Sequence, residues 1–301
     1  MKFCYKETNF KDKSLYLIEK VNDIVETYKA QGYDLTLRQL YYQFVARDII
    51  PNNQKSYDNL GALVNNARLA GLVDWDAIED RTRYIRNAFH WEDPNEVLLS
   101  AARQFDINKW AGQSEYVEIW VEKDALIGIV GQAAAVYDVP YFSCRGYVSQ
   151  TEMYGAAQRI IKKLRTEHEH ATIIHLGDHD PSGKDMTRDI EDRINMFASA
   201  HGFSEYEIEI HRVALEADQI RKYNPPPNPA KLTDSRCGKY IAQYGYSSWE
   251  LDALEPSVLE EIITSAVAES LNLDLFLEKQ KEEANLKNEL KKYALAFEKG
   301  V

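Results

Sequence analysis

The chain has 301 residues and a formal net charge of −12, and its 45% hydrophobic and 28% charged composition is typical of a soluble globular protein with about two domains. No stretch approaches the roughly 18 apolar residues of a membrane helix, and the first residues do not resemble a signal peptide, so we expect no membrane partner and a cytoplasmic location. The three cysteines form no C-x-x-C pair, which fits a reducing compartment and argues against a cysteine metal site.

The first 95 residues have the apolar spacing of helices. Apolar spacing indicates an N-terminal helix in residues 1–32, a short helix from residue 36, a turn at residues 50 to 53 and a second helix across residues 56 to 72. The polar stretch DWDAIEDRTRYI follows and is interpreted as a strand pair or wing. This order predicts a winged-helix DNA-binding domain at 33–95, although a small helical subdomain without DNA contact fits the pattern equally well. A linker is predicted at 96–113.

The stretch TLRQLYYQF places two tyrosines side by side on the short helix. Tyr41 belongs to the apolar stripe and is expected in the core. Tyr42 is turned by about 100° and lies one helical turn after Arg38. We therefore expect Tyr42 to face outward beside a guanidinium group. On this segment alone, an ordinary surface tyrosine packed on an arginine stem is the simpler interpretation.

Residues 114–275 alternate between apolar strands and amphipathic helices, which predicts a Rossmann-like α/β domain with a parallel sheet covered by helices. Ligands of such sheets bind at the carboxyl ends of the strands. Three acids occur at predicted strand ends, namely Glu122 after YVEIWV, and Asp178 and Asp180 after ATIIHLG. The final residues, 276–301, predict a charged amphipathic helix that serves packing or oligomerisation.

Carboxylates that meet at one sheet edge repel each other unless a cation lies among them. Oxygen ligands without cysteine favour Mg²⁺, with Mn²⁺ as a second possibility, and such an ion stabilises charge on a phosphodiester under attack. The metal interpretation has an alternative, because Asp178 could instead cap the helix that follows it.

Four short motifs occur in an order and at a spacing that match one known protein family. WVEKDA (120 to 125), CRGY (144 to 147) and GDHDPSG (177 to 183) together resemble the Toprim domain of the topoisomerase VI A subunit, whose family includes the meiotic transesterase that makes double-strand breaks. The upstream LRQLYYQF is similar to that family's R-x-x-x-Y element, with Tyr42 in the position of the nucleophile. The resemblance covers residues 35 to about 254.

The resemblance implies DNA cleavage by transesterification. Tyr42 would attack a phosphodiester of double-stranded DNA and become linked to a 5′ end, with Arg38 supplying positive charge. Glu122, Asp178 and Asp180 match the family's Mg²⁺ ligands, and Glu122 is also the implied general acid or base. The family further implies a homodimer with shared active sites, and a separate ATPase subunit as partner for strand passage.

Residues 240 to 278 contain eight acidic residues and no lysine or arginine. Basic residues outside this acidic stretch are the candidates for DNA contact. They are Arg81, Arg83, Arg145, Lys231 and Arg236. The family's K-G-Y turn continues with Pro-Asp, whereas this chain continues with Val-Ser, and the segment from residue 223 to 245 has no counterpart in the family pattern. Two further functions remain open: a Toprim nuclease that hydrolyses DNA, for which Tyr42 would be dispensable, and a DNA-binding subunit that is silent without a partner.

Overall fold

The N-terminal region is helical because apolar residues recur at helical spacing between strong capping residues. A computed structural model describes residues 2–79, 88, 90–230 and 233–298. Thr36 and Gln39 form a capping box at the start of the second helix, and the Asn53 side chain accepts a hydrogen bond from the Ser56 N–H at the start of the third. The helices of this region are α1 (Asp12–Ala30), α2 (Leu37–Ala46) and α3 (Gln54–Leu69).

The wing of the predicted winged helix is not confirmed. Residues Trp75–Ala77 form a single 3-10 turn, and one parallel bridge joins Leu35 to Ile78. Residues 80 to 87, which include the second half of the predicted strand pair, lie outside the described residues. The segment predicted as a linker, 96–113, includes most of a helix, α4 (Pro94–Gln104), whose start is capped by Asp93.

A four-stranded parallel sheet with the order β2-β1-β3-β4 forms the centre of the α/β region, which confirms the predicted α/β class. The central strands are almost continuously apolar because both of their faces are covered by helices. Ile119 and Leu176 face one core, and Trp120 and Ile173 face the other. The elements are β1 (Glu115–Val121), α5 (Ile127–Val136), β2 (Tyr141–Ser143), α6 (Gln150–Thr166), β3 (His170–Leu176), α7 (Pro181–Ser199) and β4 (Ile208–Ala214).

The segment after β4 returns the chain to the N-terminal region. Two very short strands pair antiparallel, and the first of them lies beside the α2–α3 turn, where Asn52 Nδ2 donates to Asn228 Oδ1 at 2.6 Å. The elements are α8 (Ala217–Tyr223), β5 (Asn228–Pro229), α9 (Cys237–Tyr244), β6 (Ser247–Ser248), α10 (Pro256–Ser270) and α11 (Leu273–Glu298).

The last helix packs within the chain. α11 lies against α4, and Glu283 of α11 binds the segment that follows α4, through Lys109 Nζ at 2.7 Å and the Ile107 N–H at 3.2 Å. The predicted C-terminal helix at 276–301 thus begins three residues earlier, at Leu273. In the described ranges, no helix combines the length and apolar character needed to cross a membrane.

Candidate active site

Tyr42 is buried, and the expectation that it faces outward was wrong. Its side of α2 is covered by residues 251 to 253, so only 4% of the residue is exposed. Helical spacing identified one apolar face, whereas α2 is packed on two. The Arg38 guanidinium carbon lies 5.8 Å from the centre of the Tyr42 ring, as the spacing predicted. Tyr41 is in the core, where its hydroxyl donates to Asn52 Oδ1 at 2.9 Å.

A chain of ion pairs connects α2 to the carboxyl edge of the sheet. Arg38 Nε donates to Asp252 Oδ2 at 2.9 Å, and its Nη2 donates to Glu250. Lys123 Nζ, which directly follows Glu122 in the sequence, lies 2.7 Å from Glu250 Oε2 and 3.0 Å from Asp252 Oδ1. The same ammonium group lies 3.0 Å from Asp178 Oδ2. We refer to Arg38, Glu250, Asp252, Lys123 and Asp178 as the ion-pair chain.

The predicted acids do meet at the sheet edge, but protein donors already occupy most of their oxygens. Glu122 Oε2 accepts the Asp178 N–H at 2.9 Å, and Asp178 Oδ1 accepts the Leu251 N–H at 2.7 Å. Asp180 Oδ1 accepts the Gly183 N–H at 2.6 Å and so caps α7. The alternative in which Asp178 caps this helix is therefore wrong, because Asp180 takes that position.

Arg212, on β4, holds the loop between β3 and α7 in place. Its guanidinium donates to the carbonyl oxygens of Gly177 at 2.9 Å, Asp178 at 2.7 Å and Gly183 at 2.9 Å. It also donates to Thr187 Oγ1 at 2.9 Å. A buried arginine can satisfy several backbone carbonyls at once because its fork carries five N–H donors. The backbone that presents the acids is thereby fixed before any ligand binds.

Burial dominates the electrostatics of the site. It raises the pKa of Asp178 to about 7, with Lys123 opposing the rise and the Glu122 carboxylate adding to it. Burial also raises the pKa of Glu122. The pKa of Tyr42 is raised, first by burial and then by the nearby Asp252 and Glu250 carboxylates. The surroundings therefore favour the protonated forms of Asp178, Glu122 and the Tyr42 hydroxyl. Burial of Glu250 is instead outweighed by Lys123 and Arg38, which lower its pKa to about 2.

The carboxylate oxygens of Glu122, Asp178 and Asp180 are ligands that Mg²⁺ prefers, but in this conformation they are not arranged around a common metal position. Within the described part of the chain, no three Asp, Glu, His or Cys side chains are grouped so that they could hold a metal ion. The reason is visible in the contacts, since both oxygens of Asp178 are engaged, by Leu251 and by Lys123. Metal binding at Glu122, Asp178 and Asp180 would require these carboxylates to exchange partners.

The candidates for DNA contact differ in what the structure says of them. Arg145 has a side chain that is 74% exposed, and its Nε lies 3.0 Å from Asp124 Oδ1. Arg236 is committed to Asp234 at 2.7 Å and Asp185 at 3.0 Å. Arg81, Arg83 and Lys231 lie outside the described residues. Arg145 is thus the candidate whose described surroundings leave it open to a phosphate.

Sequence reasoning missed four residues of this site, namely Lys123, Arg212, Glu250 and Asp252. Two of them belong to the acidic stretch 240 to 278, which drew attention only as a charge imbalance. Among the four, only Lys123 could have been identified from a local motif, because it directly follows Glu122 in WVEKDA.

No protein-family model matches this chain, and no curated protein matches it. The resemblance to the topoisomerase VI A subunit therefore stays a prediction.

Proposed function

We propose that this chain cleaves double-stranded DNA by transesterification, with Tyr42 as the nucleophile and the acids Glu122, Asp178 and Asp180 at the sheet edge. The observation that carries the proposal is the ion-pair chain, because it brings the helix with Tyr42 to the same sheet edge as the acids. In the family that this chain resembles, the tyrosine motif and the acidic motifs are separate in sequence and act together. Within this chain, ion pairs connect the helix that carries Tyr42 to the sheet edge that carries the acids.

The Tyr42 phenol loses its proton as its oxygen forms a bond to phosphorus, the bond from phosphorus to the 3′ oxygen breaks, and the 3′ oxygen takes up a proton. Glu122 is the proposed group that accepts the phenol proton and returns it to the 3′ oxygen, because burial raises the pKa of its carboxyl group. Arg38 lies close enough to Tyr42 to favour the phenolate. Mg²⁺, or Mn²⁺, stays part of the proposal because the acids offer oxygen donors only.

Metal-dependent hydrolysis is the second candidate, and the burial of Tyr42 favours it. The residue is only 4% exposed, and both burial and the neighbouring carboxylates raise the pKa of its hydroxyl. Both effects oppose attack by the tyrosine as the chain stands. A nuclease would need the sheet-edge acids without Tyr42.

The test uses supercoiled plasmid and Mg²⁺, stopped with SDS and analysed with and without protease. Transesterification predicts DNA that is retarded by bound protein until protease is added, and this product is lost in Tyr42→Phe and in Asp178→Asn. Tyr41→Phe is the matched control, because it removes the neighbouring hydroxyl and its bond to Asn52; it is expected to cleave. Protein-free nicks that survive Tyr42→Phe but vanish in Asp178→Asn would establish the nuclease instead.

We further propose a homodimer, which the resemblance implies with Tyr42 of one protomer acting beside the acids of its partner, whereas the ion-pair chain holds Tyr42 near the acids of its own chain. If the site is shared between protomers, mixing the inactive Tyr42→Phe and Asp178→Asn proteins would restore nicking, since one composite site per mixed dimer is intact. Failure to restore nicking, with both variants dimeric and folded, would assign each tyrosine to the acids of its own chain. The contact of α2 with its own sheet edge makes this the result to exclude first.

A further inference from the structure

A cleft beside Tyr42 has a lining that the cleavage chemistry does not explain. It has a volume of about 330 Å³ and lies between the α2–α3 turn and β5. This volume is at the lower end of the range of about 300–1,000 Å³ typical of small-ligand sites. Its lining includes Tyr42, Asn52, Asn53, Gln54, Tyr57 and Asn228.

The described lining is aromatic and amide-rich and offers no free positive charge. Arg38 is the one basic residue among the described lining residues, and it is paired with Asp252 and Glu250. Glu250 itself lines the cleft, so a phosphate group would meet a carboxylate there as long as Glu250 stays paired with Arg38. An uncharged, planar group with hydrogen-bonding edges fits this lining better, since bases are bound by aromatic rings and by amide side chains.

Two adjacent residues have unused hydrogen-bonding atoms. The Asn53 Oδ1 caps α3 through the Ser56 N–H at 2.9 Å, and its Nδ2 bonds to no described residue. The Gln54 Nε2 donates to Asp58 at 2.9 Å, and its Oε1 accepts from no described residue. The half-buried Tyr57 ring lies beside them, 5.4 Å from the Tyr41 ring. One donor, one acceptor and an aromatic ring are therefore available at the same cleft.

We infer that this cleft binds a single unpaired DNA base next to the phosphodiester that Tyr42 attacks. The inference rests on the proposed function, because it takes the cleft to lie beside the cleaved bond. An unpaired base presents a hydrogen-bond acceptor and a donor side by side on its Watson–Crick edge, which the Asn53 amide N–H and the Gln54 carbonyl oxygen complement. A base inside a duplex cannot enter such a cleft, so the preferred substrate is DNA with an unpaired or extruded nucleotide.

Binding without divalent metal separates this inference from cleavage. Fluorescence anisotropy would compare a short duplex carrying one bulged adenine with the fully paired duplex and with a duplex whose bulge is abasic. We expect about tenfold tighter binding of the bulged adenine than of the paired duplex, the size of effect given by one base contact with stacking. A 2-aminopurine at the bulge would report the change of stacking directly.

Two variants preserve the fold while changing the cleft. Asn53→Asp removes the free N–H donor but keeps the oxygen that caps α3, and Gln54→Met removes the acceptor from an exposed position. Both are expected to abolish the preference for the bulged adenine. Gln280→Glu, on the exposed side of α11, adds the same charge as Asn53→Asp outside the cleft and is expected to retain the preference.

The other outcomes would refute the base site, or the base site and the proposed function together. Equal affinity for bulged and paired DNA, with plasmid cleavage intact, would refute the base site and leave the proposed function standing. A preference that survives both variants would place the base elsewhere, and equal binding of the bulged adenine and the abasic bulge would refute recognition of the base. Absence of binding to every duplex, together with absence of cleavage, would refute the base site and the proposed function together.

Discussion

The loop between β3 and α7 carries Asp178 and Asp180, and we call it the acidic loop. Gly183, just after this loop, is the position where a larger side chain would clash with it most severely. It is the third residue of α7, and its N–H donates to Asp180 Oδ1. A methyl group on Gly183 would lie 2.2 Å from the Asp178 carbonyl oxygen and 3.0 Å from Glu122 Oε2. The optimal separation of such atoms is about 3.5 Å. Because the nearest atom belongs to the backbone, a side-chain rotation cannot relieve the clash, and Gly183→Ala must displace the Asp178 peptide.

The magnitude follows from two opposing effects. Overpacking at a rigid position costs up to about 3 kcal/mol. Alanine favours the helix over glycine by about 1 kcal/mol, which leaves a net loss of about 2 kcal/mol in the free energy of unfolding. Gly155 is the matched control, because it lies within α6 and a methyl group there would meet no atom within 4 Å. Gly155→Ala is expected to gain about 1 kcal/mol.

Urea unfolding of both variants measures the difference, which is expected to be about 3 kcal/mol at an unchanged dependence on urea. Plasmid cleavage should fall with Gly183→Ala, since Asp178 and Glu122 both move, and should persist with Gly155→Ala. If Gly183→Ala were as stable as Gly155→Ala, the close approach of α7 to the acidic loop would be wrong.

Three other measurements test the site. Asp252→Ala is expected to lower the free energy of unfolding by about 2 kcal/mol, because it removes one of the carboxylates that bind the buried Lys123 ammonium group and the Arg38 guanidinium group. Removal of the exposed Asp192 from its pair with Arg188 should cost under about 1 kcal/mol. Equal losses would contradict the ion-pair chain. Iodoacetamide should label the exposed Cys4 quickly and spare Cys144, whose thiol pKa burial raises to about 12, until the chain unfolds. Because the Asp178 pKa rises from 3.8 to about 7 on folding, wild type should lose stability relative to Asp178→Asn as the pH rises from about 4 to 7, and a constant difference over that window would refute this burial.

The sheet was predictable from the sequence because its signals are local. YVEIWV and ATIIHL are apolar runs of strand length, and they form β1 and β3 with boundaries that differ by a residue or two from those predicted. The meeting of Glu122 and Asp178 was predictable as well, since neighbouring parallel strands end at the same edge. The register that pairs Val121 with Leu176 places these acids just beyond the two strand ends.

The covering of α2 was not predictable, because it depends on residues more than 200 positions away. Helical spacing reports which residues share a face, but it does not report how many faces are packed. Asp252 reaches Arg38 through a fold that places residues 251 to 253 on α2. The pairing of α4 with α11 was not predicted either, because most of α4 was assigned to a linker and the amphipathic pattern of α11 does not identify its partner.

The ion-pair chain also bears on how Tyr42 would reach DNA. Exposing more of the Tyr42 side chain requires α2 to separate from residues 251 to 253, and this breaks the pairs of Arg38 with Asp252 and Glu250. A phosphodiester is the ligand that can replace those carboxylates, because a guanidinium binds phosphate and carboxylate oxygens with the same two-pronged geometry. Under the proposed function, DNA would therefore take over Arg38 and uncover Tyr42 in one event. The buried tyrosine would then become reactive only where a phosphodiester is already bound beside it.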